Sequence, residues 1–288
     1  AQAEAQRIAQ AEGRTFIAPF DDPRVIAGQG TIGLEIIQQD AELDRIFVPV
    51  GGGGLAAGIA VLVKTLMPQM RIIGVEPAGA RCMATAMYEG RPVTLDHVDS
   101  FVDGAAVARA GDFSYAMTRL ISPELLAVPE GQVCSEMLGL YQVDGIIAEP
   151  AGALASAALS RRPFDVSVQL EPGQEVVVIV SGGNNDVSRY AEVIERSGVH
   201  EGRRRYFLVN FPQEPGALRR FLNDVLGPDD DIIVFEYTKH SNRETGPALV
   251  GIELGDPASY RSLLARIDGS PLKVEVLEPD TAIYRMLV

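Results

Sequence analysis

The residues best suited to chemistry are four consecutive glycines that follow a buried apolar strand. The segment IFVPVGGGGLAAG joins the strand Ile46–Val50 to Gly51–Gly54 and then to an apolar helix. Without Cβ atoms, consecutive glycines let backbone N–H groups converge on an anion, and the helix N-terminus adds its positive end. The segment therefore predicts a phosphate site. The alternative is a tight turn whose glycines only permit close packing of strand and helix.

Two kinds of phosphate ligand fit this loop. The pattern G-x-G-x-x-A is satisfied by Gly51, Gly53 and Ala56. Glu76 ends the next strand, which completes the dinucleotide fingerprint of an NAD-dependent oxidoreductase. The competing ligand is a single phosphate monoester, such as that of pyridoxal 5′-phosphate (PLP), because a compact cup of N–H donors suits a terminal phosphate dianion. The loop by itself leaves both ligands open.

Three shorter segments offer groups near other strand ends. Ser181 follows the apolar run Val176–Val180, at the carboxyl end of a strand, where open α/β sheets place their ligands. Its hydroxyl can donate to a pyridine nitrogen or cap a helix, and the sequence favours neither. Glu149, in AEPAGALA, is either a functional acid or a charge that complements a helix dipole, and the sequence favours neither. Gly104, in VDGAAVA, lies on a glycine turn whose backbone can line a pocket.

Composition narrows the class of protein. Of 288 residues, 47% are hydrophobic and 22% are charged, which is enough apolar residue to bury a sizeable core. The formal net charge of −14 disfavours nucleic-acid partners, because an acidic surface repels phosphate backbones. The apolar runs stay below the ~20 residues of a membrane helix, so no membrane association is predicted. The two cysteines and three histidines lack the spacing of a metal site, so no metal is predicted.

The elements that must position these groups alternate between strand and helix over the first two thirds of the chain. Continuously apolar strands indicate a parallel sheet that helices cover on both faces. We therefore predict an α/β domain over residues 1–200, including a polar helical connector that begins near Arg189. The predicted strands are Thr15–Ile17, Arg45–Val50, Arg71–Val75, Leu125–Val128 and Val176–Val180.

From residue 201 to residue 288 the order of elements changes. Strand, helix, strand, strand, helix and strand follow one another within about 80 residues, the split βαβ or ferredoxin-like plan. The turn signals GPDDD and NRETGP lie at two of its joints. The fold class predicted for the whole chain is therefore a partial α/β parallel-sheet domain followed by an α+β βαββαβ domain.

Several segments together resemble the biosynthetic threonine dehydratase (threonine ammonia-lyase) family, which has the tryptophan-synthase-β-like PLP fold. They occur in the family's order and are PFDDPRVIAGQGTIGLEI, GGGGL, GVEPAGA, AEPAGALA and SGGNND. The segments YFLVNFPQEPGAL and DDDIIVFEYTKHSNRETG resemble the family's ACT-like regulatory domain. The two regions cover nearly the whole chain.

The resemblance implies a cytoplasmic, homo-oligomeric lyase, dimeric or tetrameric, with PLP as cofactor. It would deaminate L-threonine to 2-oxobutanoate and ammonia in isoleucine biosynthesis. The alternative substrate is L-serine. Ser181 would bond the pyridine nitrogen, Glu149 would lie near the ring, and Gly104 would form part of the pocket wall. The phosphate would be cradled by the backbone N–H groups of Gly51, Gly52, Gly53, Gly54 and Leu55.

The ACT-like domain implies feedback inhibition of the lyase by L-isoleucine. Gly216 opens a predicted helix, whose first N–H groups can receive a carboxylate, although a plain capped turn explains the same residues. Only one such module is present, so we expect the inhibitor site to need a partner chain. The candidate contacts are Asn210, Gly216, Ala217 and Leu218.

The chain departs from the family in its lysines. The family's Schiff-base lysine lies in a Ser-x-Lys-x-Arg-Gly-like motif that does not occur here, and we do not expect Lys64, Lys239 or Lys273 to replace it. Related enzymes bind a cation through an acid matching Glu76, but Cys82 replaces a second acidic ligand. We expect this chain to be the C-terminal part of a threonine dehydratase and to be inactive by itself. The alternatives are an amino-acid-sensing fragment without catalysis, or the NAD-dependent oxidoreductase.

Overall fold

The apolar runs of the first two thirds of the chain form one parallel sheet. Its strands are β1 (Arg45–Pro49), β2 (Arg71–Pro77), β3 (Glu124–Val128) and β4 (Val176–Val178), in the order β3-β2-β1-β4. All five residues of β1 are buried, as expected for a parallel strand that is covered on both faces. In register, Ile46 pairs with Ile72 of β2 and with Val177 of β4. The predicted α/β class is confirmed.

The structure, a computed structural model, describes residues 2–40, 42–121, 124–160, 162, 165–237, 244–279 and 281–287. The chain divides into a first unit, residues 1–187, and a second unit, residues 188–288. None of the helices in the described ranges is long and apolar enough to cross a membrane. The first unit's helices are α1 (Gln2–Glu12), α2 (Pro23–Gln39), α3 (Gly54–Leu66), α4 (Cys82–Glu89), α5 (Asp112–Ile121), α6 (Glu130–Gly139) and α7 (Pro150–Ala157).

Helix α2 begins with a cap that the sequence displays. Asp22 is the N-cap, its carboxylate accepts from the backbone N–H of Arg24 at 2.8 Å, and Pro23 follows as the first helical residue. The helix packs closely on α3, since a Cβ on Gly30 would lie 3.2 Å from the carbonyl oxygen of Gly58. The GQG part of AGQGTIGLEI therefore contributes helix packing through Gly30.

Two local differences from the sequence predictions have physical causes. Residues Thr15–Ile17 do not form a strand, and the Ile17 side chain is 74% exposed, so its apolar character does not place it in the sheet. Helix α4 was not expected from the sequence. Its start is fixed by the carboxylate of Glu76, which accepts the N–H groups of Met83 and Ala84, a contact between elements that periodicity does not reveal.

The second unit has the predicted βαββαβ plan. Its core includes Phe207, Phe221 and Ile252. Its antiparallel sheet has the order β6 (Asp231–Tyr237), β7 (Thr245–Glu253), β5 (Arg204–Pro212) and β8 (Lys273–Leu277). The helix predicted as a connector is α8, which this unit contains, while the domain limits at residues 200 and 201 stay a prediction. The elements are α8 (Tyr190–His200), β5 (Arg204–Pro212), α9 (Ala217–Val225), β6 (Asp231–Tyr237), β7 (Thr245–Glu253), α10 (Tyr260–Asp268), β8 (Lys273–Leu277) and α11 (Ala282–Leu287).

Candidate functional site

A cavity of about 230 Å³ lies beyond the carboxyl ends of β1 and β4, and all the predicted cofactor residues except Glu149 are among its described lining residues. The whole glycine loop, Gly51–Leu55, lines this cavity together with Gly104 and Ser181. Adjacent parallel strands end at the same edge of a sheet, which is why residues far apart in the chain meet there. Sequence reasoning missed Phe20 and Gln29, which also line the cavity, although PFDDP and GQG mark their positions.

The carbonyl oxygens of three successive residues of the glycine loop each accept a hydrogen bond from a donor outside Gly51–Leu55. The N–H groups of this loop are called the phosphate cup below. All peptide bonds of the described chain are trans, so each N–H points opposite to the carbonyl of the same peptide. The amides of Gly52, Gly53 and Gly54 therefore point away from these donors. The donors are Cys82 Sγ to the Gly51 oxygen at 3.3 Å, Gly111 N to the Gly52 oxygen at 3.2 Å and Ala57 N to the Gly53 oxygen at 2.9 Å.

Helix α3 begins at this cavity without a side-chain cap. Its N-cap, Gly53, has φ +95°, a left-handed conformation that residues with a Cβ rarely adopt. The first N–H groups of the helix have no intrahelical partner, and the helix dipole makes this end positive. The donor set and its polarity fit the phosphate group of PLP.

The loop is also tightly packed from behind. A Cβ on Gly52 would overlap the Phe20 ring, and one on Gly54 would lie 2.6 Å from the Phe20 carbonyl oxygen. A Cβ on Gly53 would overlap the end of the Met83 side chain. Close packing and anion binding therefore require the same glycines.

Ser181 and Glu149 come from two segments that hydrogen bonds hold together. The Ser181 hydroxyl donates to the carbonyl oxygen of Ala151 at 3.3 Å, and Glu149 N donates to the Gly182 carbonyl oxygen at 3.1 Å. A Cβ on Gly182 would overlap the Glu149 carboxylate, and one on Gly104 would lie 3.7 Å from Glu149 Oε1. The Glu149 side chain thus packs behind Gly182 and beside Gly104.

Glu76 is not available to a dinucleotide ribose. Its side chain is 1% exposed, and its oxygens accept the N–H groups of Met83 at 2.7 Å and Ala84 at 2.9 Å. Burial raises the pKa of this carboxyl group to about 7, although both hydrogen bonds act in the opposite direction. The dinucleotide fingerprint needs this acid open to the ribose hydroxyl, so the geometry does not favour the NAD-dependent alternative.

The Cys82 thiol stays protonated at neutral pH. Burial first, and then the nearby Glu76 charge, raise its pKa to about 12. A thiol in that state serves as the donor to Gly51 and not as a metal ligand, which requires a thiolate. Within the described ranges, His, Cys, Asp and Glu do not form a group of three that could hold a metal ion.

Neither Lys64 nor Lys273 is among the described residues that line the cavity. Lys64 Nζ donates to the Pro68 carbonyl oxygen at 3.1 Å, ten residues along α3 from Gly54, or about 15 Å of helix. Lys273 begins β8 in the second unit, and Lys239 lies outside the described residues. The lysine that bonds PLP in the related enzymes therefore has no counterpart among the described residues that line this cavity.

The second unit contains a cavity of about 210 Å³ at the start of α9. The predicted Gly216, Ala217 and Leu218 line it, whereas Asn210 lies on β5 opposite Pro247 and is not among the described lining residues. Gly216 has φ +87° and is the N-cap of α9, again without a side-chain cap. This helix start can receive a carboxylate, as the sequence suggested.

Aromatic residues form the apolar wall of this second cavity. The ring centroids of Phe211 and Phe235 are 5.7 Å apart, and those of Phe211 and Tyr237 are 6.1 Å apart. Both pairs pack edge to face. Sequence reasoning missed this wall. The signal was present in IIVFEY, because the alternation of a strand places Phe235 and Tyr237 on one face.

Two family models match the chain. The model described as pyridoxal-phosphate dependent enzyme matches residues 1–182, and the C-terminal regulatory domain of threonine dehydratase matches residues 195–287. The chain is 55% identical to the biosynthetic L-threonine dehydratase of Mycobacterium bovis, over 100% of the chain and 66% of that protein. It is 47% identical to the enzyme of Bacillus subtilis, over 99% of the chain and 66% of that protein.

Two solved structures are similar to the chain. Threonine deaminase isoform 2 from Solanum lycopersicum is 38% identical with a TM-score of 0.63, over 68% of this chain and 56% of that chain. Maize serine racemase is 28% identical with a TM-score of 0.58, over 68% of this chain and 60% of that chain. The chain thus spans 66% of the length of the two curated relatives. It belongs to the family of pyridoxal-phosphate-dependent enzymes and resembles the biosynthetic threonine dehydratases along its whole length.

Proposed function

We propose that this chain is the phosphate-binding and regulatory part of a biosynthetic threonine ammonia-lyase. The reaction is the deamination of L-threonine to 2-oxobutanoate and ammonia, in the pathway to isoleucine. The observation that carries the proposal is the glycine loop, whose three carbonyls are bonded elsewhere while its amides point away from those donors at the start of α3. The identity of 55% to a biosynthetic L-threonine dehydratase supports the choice of substrate.

Each predicted site residue has a distinct role in this proposal. The backbone N–H groups of Gly51–Leu55 bind the cofactor phosphate, and Gly104 forms part of the wall. The Ser181 hydroxyl turns from Ala151 to donate to the pyridine nitrogen, which a neutral hydroxyl does without forcing ring protonation. Glu149, packed behind Gly182, holds the Ser181 segment at the ring edge. When bound, PLP supplies an electron sink for negative charge at the substrate Cα.

The chain by itself binds the cofactor and does not turn over threonine, because a lysine is needed to bond PLP. Lys64 is engaged with Pro68, and Lys273 belongs to the other unit. We expect isothermal titration to show PLP binding at least about tenfold tighter than pyridoxal, which lacks the phosphate. Equal affinity for the two, or thermal stabilisation by NAD in place of PLP, would contradict the proposal.

The lyase activity is tested by adding the part of a curated relative that the chain does not span. We would extend the chain at its N-terminus with the corresponding segment of the Mycobacterium bovis relative. The extended protein should release 2-oxobutanoate from L-threonine, and faster than it releases pyruvate from L-serine. Conversion of serine alone would correct the substrate, and release of neither product despite PLP binding would refute the lyase proposal.

We further propose that L-isoleucine binds the cavity of the second unit. Its carboxylate would meet the uncapped start of α9 at Gly216, and its aliphatic side chain would pack on Phe235 and Tyr237. Titration should give a dissociation constant for isoleucine at least about fivefold lower than for valine. The Phe235→Ala variant should remove this preference, and equal heats for isoleucine and valine would argue against the site.

The proposal includes a cytoplasmic homo-oligomer, either a dimer or a tetramer. Leu218 is 40% exposed on α9 and lies at the same cavity, so a second copy has an apolar surface on which to complete the isoleucine site. Light scattering after gel filtration should give about two or four times the chain mass of 30.9 kDa. A monomer that still binds isoleucine would show that one copy forms the whole site.

A further inference from the structure

We propose that Asp21 is a positioning residue for the phosphate cup, acting through the start of α5 on the peptide between Gly52 and Gly53. This inference rests on the proposed function, because it concerns how the same cup is held. Asp21 belongs to the PFDDP segment, and the sequence of the glycine loop does not indicate a role for this residue. Its side chain touches neither phosphate nor ring in this proposal.

Asp21 holds the N-terminus of α5 with a single carboxylate. Oδ2 accepts the N–H of Asp112 at 2.9 Å, and Oδ1 accepts the N–H groups of Phe113 and Ser114, both at 3.0 Å. A negative group at this end also complements the helix dipole. The contact spans about ninety residues of sequence, so it ties two distant segments together.

The residue just before α5 connects this cap to the cup. Gly111 N donates to the carbonyl oxygen of Gly52 at 3.2 Å. A Cβ on Gly111 would overlap the Asp21 carboxylate, so Gly111 lies directly against Asp21. Fixing the start of α5 therefore fixes the donor that orients the Gly52–Gly53 peptide. The N–H of Gly53 in that peptide points the opposite way, as a phosphate donor must.

Phe20, the residue before Asp21, also contacts the glycine loop. Its ring lies on Gly52 and its carbonyl oxygen lies against Gly54. Phe20 is bonded to Asp21 in the chain, so the anchor of Asp21 in α5 also holds Phe20 on the loop. Two consecutive residues thus set both the packing of the cup and the direction of one of its donors.

The test compares ligands that differ only in the phosphate. Pyridoxine 5′-phosphate and pyridoxine lack the aldehyde, so neither bonds to surface amines during calorimetric titration of the full chain. Asp21→Ala should weaken binding of the phosphate ester about tenfold and leave pyridoxine unchanged. Asp21→Asn keeps one acceptor oxygen and should show a smaller loss. The matched control is Asp256→Ala, which removes a capping acid from the second unit, where Asp256 accepts from Ala258 N at 2.9 Å.

The outcomes separate this inference from the proposed function. If the unaltered chain binds the phosphate ester no better than pyridoxine, the phosphate cup itself is wrong. If the unaltered chain prefers the ester and Asp21→Ala keeps that preference in full, the role of Asp21 is wrong. Equal weakening of both ligands would show a merely structural role. Should Asp21→Ala fail to fold, Asp21→Asn decides the question by the same ratio, with the Gly53 amide resonance reporting the peptide orientation.

Discussion

The two units begin a helix in the same way at the edge of a cavity. Gly53 before α3 and Gly216 before α9 both have a left-handed backbone, with φ of +95° and +87°, and neither helix has a side-chain cap. The cavities are similar in volume, about 230 and 210 Å³. One local device, an uncapped and positive helix end, therefore occurs twice in the chain.

The surroundings of the two helix starts differ. Gly53 is buried, and a Cβ there would overlap Met83 and lie 3.2 Å from Ser114 Cβ. Gly216 is exposed, and the nearest atom to its Cβ would be Nη1 of Arg220 at 3.7 Å. Further loop amides complete the first site, whereas aromatic rings complete the second. The local sequence thus provides the helix start that binds an anionic group. The neighbouring elements determine which ligand carries that group.

The largest difference in stability between the two units is expected from Gly53→Ala, which should destabilise only the first. The left-handed backbone costs about 1–2 kcal/mol for a residue with a Cβ, and the overlap with Met83 adds about 1–3 kcal/mol. We predict a loss of about 2–5 kcal/mol in the free energy of unfolding of the first unit, with PLP binding abolished. Guanidinium denaturation measures the loss, and hydrogen exchange assigns it to residues 1–187. A variant that keeps both stability and PLP affinity would show that the loop tolerates side chains.

The two units should differ next in how their stability depends on pH, because the first unit contains the buried carboxyl group of Glu76. Glu76 has its pKa raised by burial from an ordinary 4.5 to about 7. The folded state therefore holds this proton more tightly than the unfolded state. The resulting stability is fully present below pH 4.5 and is lost as pH rises through 7, by on the order of 3 kcal/mol.

Glu76→Gln should remove the part of this slope that comes from Glu76, because an amide does not titrate. A smaller slope should remain, since burial also raises the pKa of Glu136 in the same unit. The second unit supplies an internal comparison, since burial raises the pKa of Tyr284 to about 12, far above this range. Denaturation from pH 4 to pH 8, followed by hydrogen exchange in each unit, checks the prediction. An identical slope in the variant would assign the pH dependence to another group.

Sequence reasoning predicted the parts of both units that depend on local pattern. The continuous apolar runs indicated β1, β2, β3 and β4, and the glycine run indicated the start of α3. Contacts between distant segments were not predictable, because neither spacing nor periodicity records them. The carboxylate of Asp21 on α5 and that of Glu76 on α4 are the examples that matter for the cup. The role of Asp22 as a cap was readable, since Pro23 follows it.

A smaller effect is expected from Gly216→Ala. Here only the backbone conformation opposes a side chain, so the second unit should lose about 1–2 kcal/mol in free energy of unfolding. The first unit should keep its stability and its PLP affinity. Isoleucine affinity should fall as well, because the amide direction at the start of α9 changes. Denaturation and titration of the same preparation measure both effects, and an equal loss in the two units would mean that they do not unfold separately.

The smallest effect, and the only gain, is expected from Gly28→Ala. Gly28 lies inside α2, and a Cβ there would meet no described atom within 4 Å, so the variant should gain about 0.5–1 kcal/mol from helix propensity. Gly58→Ala on α3 is the matched opposite, because its Cβ would overlap the Ile26 carbonyl oxygen and lie 2.9 Å from Gln29 Cβ. That variant should be destabilised where α2 and α3 meet. Thermal melting of both variants gives the comparison, and a destabilised Gly28→Ala would mean that Gly28 faces a partner.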